Sequence, residues 1–238
     1  MTLTLPVAVL AGGLATRLRP LTEKIPKSLV DIGGRPFIDW QLCLLRTKGI
    51  EDVVLCVGFL GERIEAYVGD GKRWGLNVRY SYDGEIPAGT GGAVKAALPF
   101  LGEEFFVLYG DSYLPIDYES VERAYKDSGK TALMTVYRNE NHGGASNVVF
   151  VPGEKSSAYG IIECYSKKER TPRMRYIDYG LSCLSASLFA KKEDAFDLAD
   201  LYSELAAKRC LAAFEVGERF YEVGSFEGIR TLTSFLER

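Results

Sequence analysis

The sequence predicts an α/β fold with a mixed, mostly parallel central sheet flanked by helices. Short β-rich runs alternate with runs of helical periodicity through the first half of the chain, as expected of βαβ units. Consecutive strands without intervening helices follow, and helices return near the end, which predicts a small β-rich subregion or an antiparallel flap. The 238 residues are 47% hydrophobic and 26% charged, a composition typical of a soluble globular domain.

Five strands are predicted in the first half. The chain starts with an apolar run that lacks the basic segment of a secretory signal, so we interpret this run as a buried strand. Pro36 opens the first helix at a position that tolerates proline, and Gly49 ends it. The predicted strands are Leu5–Ala11, Asp52–Val57, Asn77–Tyr82, Phe105–Tyr109 and Thr131–Tyr137, and the later helices are Gly61–Val68, Thr90–Leu98 and Tyr118–Ser128. This alternation is Rossmann-like.

The second half is predicted to be richer in strands. Its predicted strands are Ser146–Val151, Gly160–Tyr165, Arg175–Phe189, Leu211–Val216 and Arg219–Glu222, and its predicted helices are Asp194–Lys208 and Phe226–Glu237. No internal repeat or Pro/Ser-rich linker interrupts the sequence. We therefore predict one domain over residues 1–238, with a first half at about 1–137, a β-rich region at about 138–190 and a return to the core at 191–238.

Charge and cysteine content exclude several classes of function. The net charge of −3 provides no basic field for a nucleic acid or an anionic membrane, and no apolar run reaches the ~20 residues that span a bilayer. The five cysteines are widely spaced and lack C-x-x-C pairs, which predicts reduced thiols in a cytoplasmic protein and gives no support for structural zinc. The single histidine, His142, is expected in a solvated loop, so a histidine base is poorly supported.

The segment from Leu10 to Val30 carries the clearest functional signal. A predicted strand ends at Gly12-Gly13, and Arg17 and Lys27 follow. Small residues after a strand let backbone N–H groups approach phosphate oxygens, and Arg and Lys supply charge-assisted hydrogen bonds. The alternative is an ordinary turn with solvated basic residues. A P-loop pattern is absent, and Gly89–Gly92 does not follow the first strand as a dinucleotide fingerprint would.

These motifs together resemble the signature of the sugar-1-phosphate nucleotidyltransferases, also called nucleotide-sugar pyrophosphorylases. The matches follow that family's order over essentially the whole chain: Gly12-Gly13-Leu14-Ala15-Thr16-Arg17-Leu18, Pro20, Thr22, Pro26-Lys27, Gly89-Thr90-Gly91-Gly92-Ala93, Tyr109-Gly110-Asp111 and Glu222-Val223-Gly224-Ser225. Two positions depart from the pattern. Ala15 stands where glycine is commoner, which questions the loop geometry, and Glu222 stands where many members have Asp.

The resemblance implies a reaction and its partners. A nucleoside monophosphate passes from a nucleoside triphosphate to a sugar 1-phosphate, and pyrophosphate leaves. Gly12 and Gly13 would line the nucleotide with their backbone, Arg17 would grip the departing pyrophosphate, and Lys27 would bridge the α-phosphate and the attacking phosphate. A bidentate guanidinium suits the first of these charged roles and a compact ammonium suits the second.

Asp111 and Glu222 are the candidate Mg²⁺ ligands. Each follows or ends a predicted strand, and Mg²⁺ usually takes one or two carboxylates together with substrate phosphates. The alternative is two unrelated caps at strand ends. In the context of Arg17 and Lys27, we expect a magnesium pair, and we count Asp111 among the catalytic residues with them.

Further positions resemble the substrate-binding parts of the family. Tyr82 and Gly89-Thr90-Gly91 resemble its nucleobase-facing loop, although Thr90 would also cap an ordinary helix. The sugar-side candidates are Asn147, Lys167, Asp178 and Tyr179. The segment from Tyr176 to Gly180 looks most like the D-glycero-D-manno-heptose 1-phosphate guanylyltransferase branch. This resemblance implies that the substrates are GTP and a manno-type heptose or hexose 1-phosphate. The same sugar-side residues also suit an exposed strand pair.

Competing functions remain at this stage. UTP or another triphosphate is an alternative to GTP. A non-catalytic regulatory or ligand-sensing module on the same fold would be expected to lose the charged phosphate residues that this chain keeps. A metal-dependent glycosyltransferase lacks support because Asp111 has no D-x-D partner. The sequence leaves the nucleobase, the sugar and any homo-oligomer open.

Overall fold

The computed structural model describes residues 5–13, 15–84, 87–139, 146–154 and 159–237, so His142 lies outside the described residues. The strands are β1 (Val7–Leu10), β2 (Asp31–Ile32), β3 (Arg35–Pro36), β4 (Asp52–Val57), β5 (Asn77–Tyr82), β6 (Glu104–Tyr109), β7 (Ser112–Tyr113), β8 (Ala132–Arg138), β9 (Val148–Val151), β10 (Gly160–Tyr165), β11 (Tyr176–Ser185), β12 (Leu211–Val216) and β13 (Tyr221–Glu222). The helices are α1 (Phe37–Thr47), α2 (Gly61–Val68), α3 (Gly89–Leu101), α4 (Tyr118–Ser128), α5 (Leu198–Ala207) and α6 (Phe226–Leu236). Short 3₁₀ turns cover Thr16–Leu18, Leu21–Glu23, Lys27–Leu29, Lys72–Trp74 and Ala186–Phe189.

One mixed sheet organises the molecule. Its nine strands lie in the order β5-β4-β1-β6-β11-β8-β12-β10-β9. The strands β5, β4, β1 and β6 are mutually parallel, and β12 runs parallel to β8, whereas β11 and β10 run antiparallel to their neighbours. The mostly parallel α/β sheet that the alternation predicts is therefore confirmed.

The β-rich region joins this sheet and does not form a separate flap. β11 lies between β6 and β8, and β10 and β9 complete the far edge. Apolar residues on these strands are buried, among them Val148, Ile162 and Leu184, so the strands gain more by extending the core than by standing alone.

Several predicted boundaries shift in the structure, three of them as follows. The helix predicted from Pro36 begins at Phe37, because Pro36 pairs with Asp31 in a small hairpin. The strand predicted to reach Phe189 ends at Ser185, whose hydroxyl accepts from the Ser187 N–H and starts a 3₁₀ turn. The helix predicted from Asp194 begins only at Leu198.

Helices cover both faces of the sheet. One apolar cluster joins one face to α1, α2 and α4, and a second joins the opposite face to α3 and α5. A third, smaller cluster packs α6 against Val30, Ile32 and Phe37 and includes Val223. This last cluster anchors the C-terminal segment beside the first loops of the chain. No helix within the described part of the chain combines the length and apolarity needed to cross a membrane.

Candidate active site

The carboxyl ends of β1, β4, β5 and β6 share one edge of the sheet, where open α/β sheets hold their ligands. Asp111 follows β6 there, and Lys27 starts a 3₁₀ turn in the loop after β1. The Lys27 Nζ lies 2.8 Å from the Asp111 Oδ2, and both side chains are partly buried. The loop of basic residues and the strand-end carboxylate thus meet in one site.

Glu222 reaches the same site through a two-stranded pairing. β13 pairs antiparallel with β7, which sets Glu222 opposite Ser112, and the Val223 N–H donates to the Asp111 carbonyl at 2.9 Å. Burial and the negative charge of Asp111 raise the pKa of Glu222, while the positive charges of Arg17 and Lys27 oppose that rise. Two cations and two carboxylates therefore influence one another here.

Arg17 lies on the 3₁₀ turn after β1, beside Gly224. A Cβ atom added to Gly224 would stand 3.4 Å from an Arg17 guanidinium nitrogen and 3.7 Å from the Glu222 Oε1. The Arg17 guanidinium and the Glu222 carboxylate therefore both lie beside Gly224. The structure brings together the four residues predicted for catalysis and metal binding.

The backbone conformation at Ala15 explains why glycine is the commoner residue at this position of the motif. Its φ of 48° and ψ of 43° lie in the left-handed region, which costs a residue with a Cβ atom roughly 1–2 kcal/mol. The Thr22 hydroxyl donates to the Ala15 carbonyl at 2.8 Å and supports the turn. The loop therefore keeps the conformation that favours glycine although the residue is alanine.

The loops at this edge enclose a cavity of about 990 Å³. Of the predicted nucleotide contacts, Gly12, Gly13, Tyr82, Gly89 and Thr90 line it, and so do Lys27 and Asp111. An added Cβ atom would stand 2.6 Å from the Asp83 Oδ2 at Gly12 and would meet nothing within 4 Å at Gly13. Gly13 thus presents open backbone to the cavity.

Gly91 lies away from this cavity. A Cβ atom there would come within 2.3 Å of the Phe196 ring, and the Gly91 N–H donates to the Phe196 carbonyl at 2.9 Å. Thr90 is engaged on both sides, because its hydroxyl donates to the Asp197 carboxylate at 3.3 Å and accepts from the Leu198 N–H at 2.9 Å. Thr90 therefore caps α5, and the start of α3 is held by the segment before α5.

Two aromatic side chains stand at the cavity mouth. Phe59 and Tyr82 are exposed to solvent by 41% and 43% although they line the cavity. The Tyr82 hydroxyl donates to the Glu65 carboxylate, and this hydrogen bond raises the pKa of Tyr82 to about 12. Tyr82 therefore presents its ring to the cavity and not a free hydroxyl.

A second cavity, of about 410 Å³, meets the first at Tyr109 and Asp111. Asp178 lines it, and its carboxylate accepts from the hydroxyls of Tyr109 at 3.5 Å and Tyr165 at 3.3 Å and from the Gly180 N–H at 3.1 Å. Burial raises the pKa of Asp178. This carboxylate is held firmly at the wall of the second cavity.

The other predicted sugar-side residues support or surround Asp178. The Asn147 Oδ1 accepts from the Asp178 N–H at 2.9 Å, and the Lys167 Nζ lies 3.4 Å from the Tyr109 hydroxyl. Neither of these two side chains lines the second cavity. Tyr179 borders it, but its side chain is buried, and its hydroxyl has no hydrogen-bond partner among the described residues.

Sequence reasoning gave no site role to three residues of these cavities. Asp83 directly follows β5 and lines the first cavity, Asp197 holds Thr90, and Tyr109 borders both cavities. Asp83 carried the same signal as Asp111, a carboxylate directly after or near the end of a parallel strand. Asp197 carried no such signal, because it acts from a loop far away in the sequence.

Comparisons with known proteins identify relatives of this chain in sequence and in fold. Residues 7–175 match the family model described as nucleotidyl transferase. An N-acetylmuramate alpha-1-phosphate uridylyltransferase of Neisseria meningitidis is 42% identical over 114 residues, 46% of this chain and 48% of that protein. A D-glycero-alpha-D-manno-heptose 1-phosphate guanylyltransferase of Campylobacter jejuni is 39% identical over 109 residues, with the same coverage. The matched segments thus span about half the length of these relatives.

Solved structures show the same fold over nearly the whole chain. HddC from Yersinia pseudotuberculosis, solved in complex with GMP-PN, superposes with a TM-score of 0.75 and 21% sequence identity, covering 98% of this chain and 100% of that one. A UDP-glucose pyrophosphorylase complexed with UDP-glucose superposes with a TM-score of 0.78 and 16% identity, covering 99% of this chain and 100% of that one. With the family model covering most of its length, the chain belongs to the nucleotidyl transferase family.

Proposed function

We propose that this chain transfers a nucleoside monophosphate from a nucleoside triphosphate to a sugar 1-phosphate and releases pyrophosphate. The observation that carries the proposal is the junction of two cavities at Asp111, with Arg17, Lys27 and Glu222 beside it. One cavity suits the nucleotide and the other suits the sugar. The four charged residues lie where the two phosphates would meet.

This reaction requires that the two phosphates be positioned and that their negative charge be offset, but it does not require a general base. A phosphate monoester has a second pKa of about 6, so the attacking oxygen is already ionised at neutral pH. The barrier is repulsion between two anions, which fixed cations and in-line positioning lower. In this proposal Lys27 bridges the two phosphates, and Arg17 holds the departing pyrophosphate.

Asp111 and Glu222 suit a divalent metal, and Mg²⁺ is the ion that we propose. Burial and repulsion from Asp111 both raise the pKa of Glu222, and a bound cation would stabilise the ionised form of this carboxylate. The described residues contain no group of three or more metal-ligating side chains, which agrees with a Mg²⁺ ion that takes its other ligands from phosphate and water. Such an ion would neutralise charge on the phosphates.

Asp83 supports GTP as the nucleotide. Asp83 follows β5 and lines the first cavity, and Asp111 follows β6, three strands away in the sheet. At the usual strand spacing the two residues are roughly 14 Å apart, a distance that a bound nucleotide could span. Guanine offers two adjacent donors, N1–H and the 2-amino group, to a carboxylate, which can only accept. Uracil and thymine offer one N–H between two carbonyl oxygens that a carboxylate repels. The relatives named above include both uridylyl- and guanylyltransferases, so membership of the family does not by itself fix the nucleobase. The choice of GTP in this proposal therefore rests on Asp83.

Inosine triphosphate tests this assignment because it lacks only the 2-amino group of GTP. We expect kcat/KM for inosine triphosphate to be roughly 10–100-fold below that for GTP, the worth of one hydrogen bond to a charged group. Asp83→Ala should remove this difference, whereas Asp127→Asn, on the exposed face of α4, should keep it. Burial raises the pKa of Asp83, so the preference should weaken as the pH falls and this carboxylate takes up a proton. An unchanged preference in Asp83→Ala would exclude the assignment.

On the sugar side, we propose a manno-type heptose or hexose 1-phosphate as the acceptor. Asp178→Ala should raise KM for the sugar phosphate far more than KM for the nucleotide, because sites that hydrogen-bond substrate hydroxyls depend strongly on those bonds. Steady-state kinetics with each substrate varied in turn measures both constants. An equal loss for both substrates would instead assign a structural role to Asp178, since two tyrosine hydroxyls rely on its carboxylate.

A matrix of four nucleoside triphosphates against a panel of sugar 1-phosphates, with pyrophosphate as the readout, tests the reaction itself. Release with one pair supports the proposal, and the preferred pair names the substrates. No release with any pair would favour a non-catalytic, ligand-sensing module, whereas a preference for UTP would overturn the GTP assignment alone.

The proposed location is the cytoplasm. The free cysteines that support it are Cys43, Cys56, Cys164, Cys183 and Cys210.

A further inference from the structure

We propose that Gln41 is a positioning residue that fixes Asp111 relative to Lys27. This inference rests on the proposed function, because it concerns the geometry of the same reaction. Gln41 makes no contact with either cavity, so it would act only through the loop that carries Asp111.

Gln41 stands out because it is a buried polar residue on an apolar helix face. It is 1% exposed, and its buried neighbours on α1 include Ile38, Leu42 and Leu45. Burying an amide costs free energy unless it is hydrogen-bonded, so an apolar residue would serve packing alone equally well. The amide therefore needs another explanation than core packing.

That amide is bonded to the backbone on both sides of Asp111. The Gln41 Nε2 donates to the Ser112 carbonyl at 2.8 Å and approaches the Tyr109 carbonyl at 3.5 Å. These two carbonyls flank Gly110 and Asp111. The side chain thus holds the turn that aims the carboxylate, while its own Oε1 has no partner among the described residues.

The start of the same helix holds the turn that carries Lys27. The Phe37 N–H donates to the Val30 carbonyl at 2.8 Å, and the Val30 N–H donates to the Lys27 carbonyl at 3.1 Å. Phe37 and Gln41 lie about 6 Å apart along the helix axis. One rigid helix is therefore bonded to both turns, and it sets the 2.8 Å separation of the Lys27 ammonium from the Asp111 carboxylate.

The test compares Gln41→Met with a matched control. Methionine keeps the length of the side chain and removes the donor. Thr135→Val is the control, because Thr135 is fully buried and its hydroxyl donates to the Leu181 carbonyl at 2.6 Å, a comparable bond between β8 and β11. Turnover at saturating substrates, KM for each substrate, and the melting temperature are measured for both variants and for the unchanged protein.

We expect Gln41→Met to lower kcat about 10–100-fold, as loss of a supporting hydrogen bond does around metal sites, with both KM values within about twofold. Thr135→Val should lose similar thermal stability and keep its kcat. Gln41→Asn, which retains an amide but is one methylene shorter, should share the loss of kcat and provides a second variant if Gln41→Met does not fold.

Three outcomes would overturn the inference. The first is a kcat within about threefold of the unchanged protein in the folded Gln41 variants, and the second is a loss that Thr135→Val shares. The third is a loss expressed only in KM. If the unchanged protein is inactive with every substrate pair, the proposed function fails and this inference falls with it, whereas an active parent with unaffected Gln41 variants removes this inference alone.

Discussion

Asp111→Asn is expected to lower the rate of pyrophosphate release by orders of magnitude while leaving the fold intact. Asparagine keeps the shape of the side chain, and the backbone around it stays held by the Gln41 amide and the Val223 N–H. The change removes the negative charge that pairs with Lys27 at 2.8 Å and that would hold the metal. Initial rates at saturating substrates, with circular dichroism as the check of folding, measure the effect.

Metal removal provides the companion measurement. Chelation with EDTA should abolish turnover in the unchanged protein, and Mg²⁺ should restore it, because Asp111 and Glu222 share no other evident task. Asp31→Asn, an exposed carboxylate outside both cavities, serves as the control and should keep its rate. Full turnover in EDTA would contradict the proposed metal role. Full activity of Asp111→Asn would contradict the catalytic role proposed for Asp111.

The strands of the first half could be predicted closely from the sequence. β4 and β5 match the predicted ranges residue for residue. β4 is a continuous apolar run typical of a buried parallel strand, whereas β5, at the edge of the sheet, is marked by valine and tyrosine, which favour strands. The strand order could not be predicted, since it depends on contacts between distant segments. The insertion of β11 between β6 and β8 is what places Asp178 beside Tyr109.

The pairing that brings Glu222 to Asp111 has no signal in the local sequence. β7 and β13 are two residues long each, too short for any periodicity, so only the family resemblance pointed to their proximity. Asp83 is a different case, because it follows a predicted strand directly and could have been recognised by the reasoning applied to Asp111.

Strand geometry also limits what neighbouring residues do together. Asp178 and Tyr179 are adjacent on β11, and successive side chains of a strand point to opposite faces. Asp178 is aimed at the hydroxyls of Tyr109 and Tyr165, whereas the Tyr179 ring packs against Tyr137 and Phe220. The two side chains therefore have different surroundings, and Asp178 is the one whose carboxylate lies among hydroxyl groups.

Lys27→Ala and Arg17→Ala are expected to impair the reaction in different ways. Removing a preorganised charge from a reacting centre typically costs ~2.7–4 kcal/mol, about 10²–10³ in rate. Lys27 lines the first cavity and lies 2.8 Å from Asp111, where the two cavities meet, so its loss should lower kcat strongly even at saturating concentrations of both substrates. Arg17 is proposed to hold pyrophosphate, which is part of the triphosphate before the reaction, so its loss should also weaken nucleotide binding.

The comparison between the two variants decides the assignment of charges. Lys24→Ala removes an exposed cation from the same loop and should leave both kcat and KM unchanged, which separates the specific roles from a general loss of positive charge. Lys27→Ala also frees Asp111 from its ion-pair partner, so Mn²⁺ should bind this variant more tightly than the unchanged protein when no nucleotide is present. Near-normal kcat in both Arg17→Ala and Lys27→Ala would mean that the phosphates meet elsewhere. Reduced kcat in Lys27→Ala with weakened Mn²⁺ binding would instead mean that Lys27 supports the metal site and does not compete with the ion.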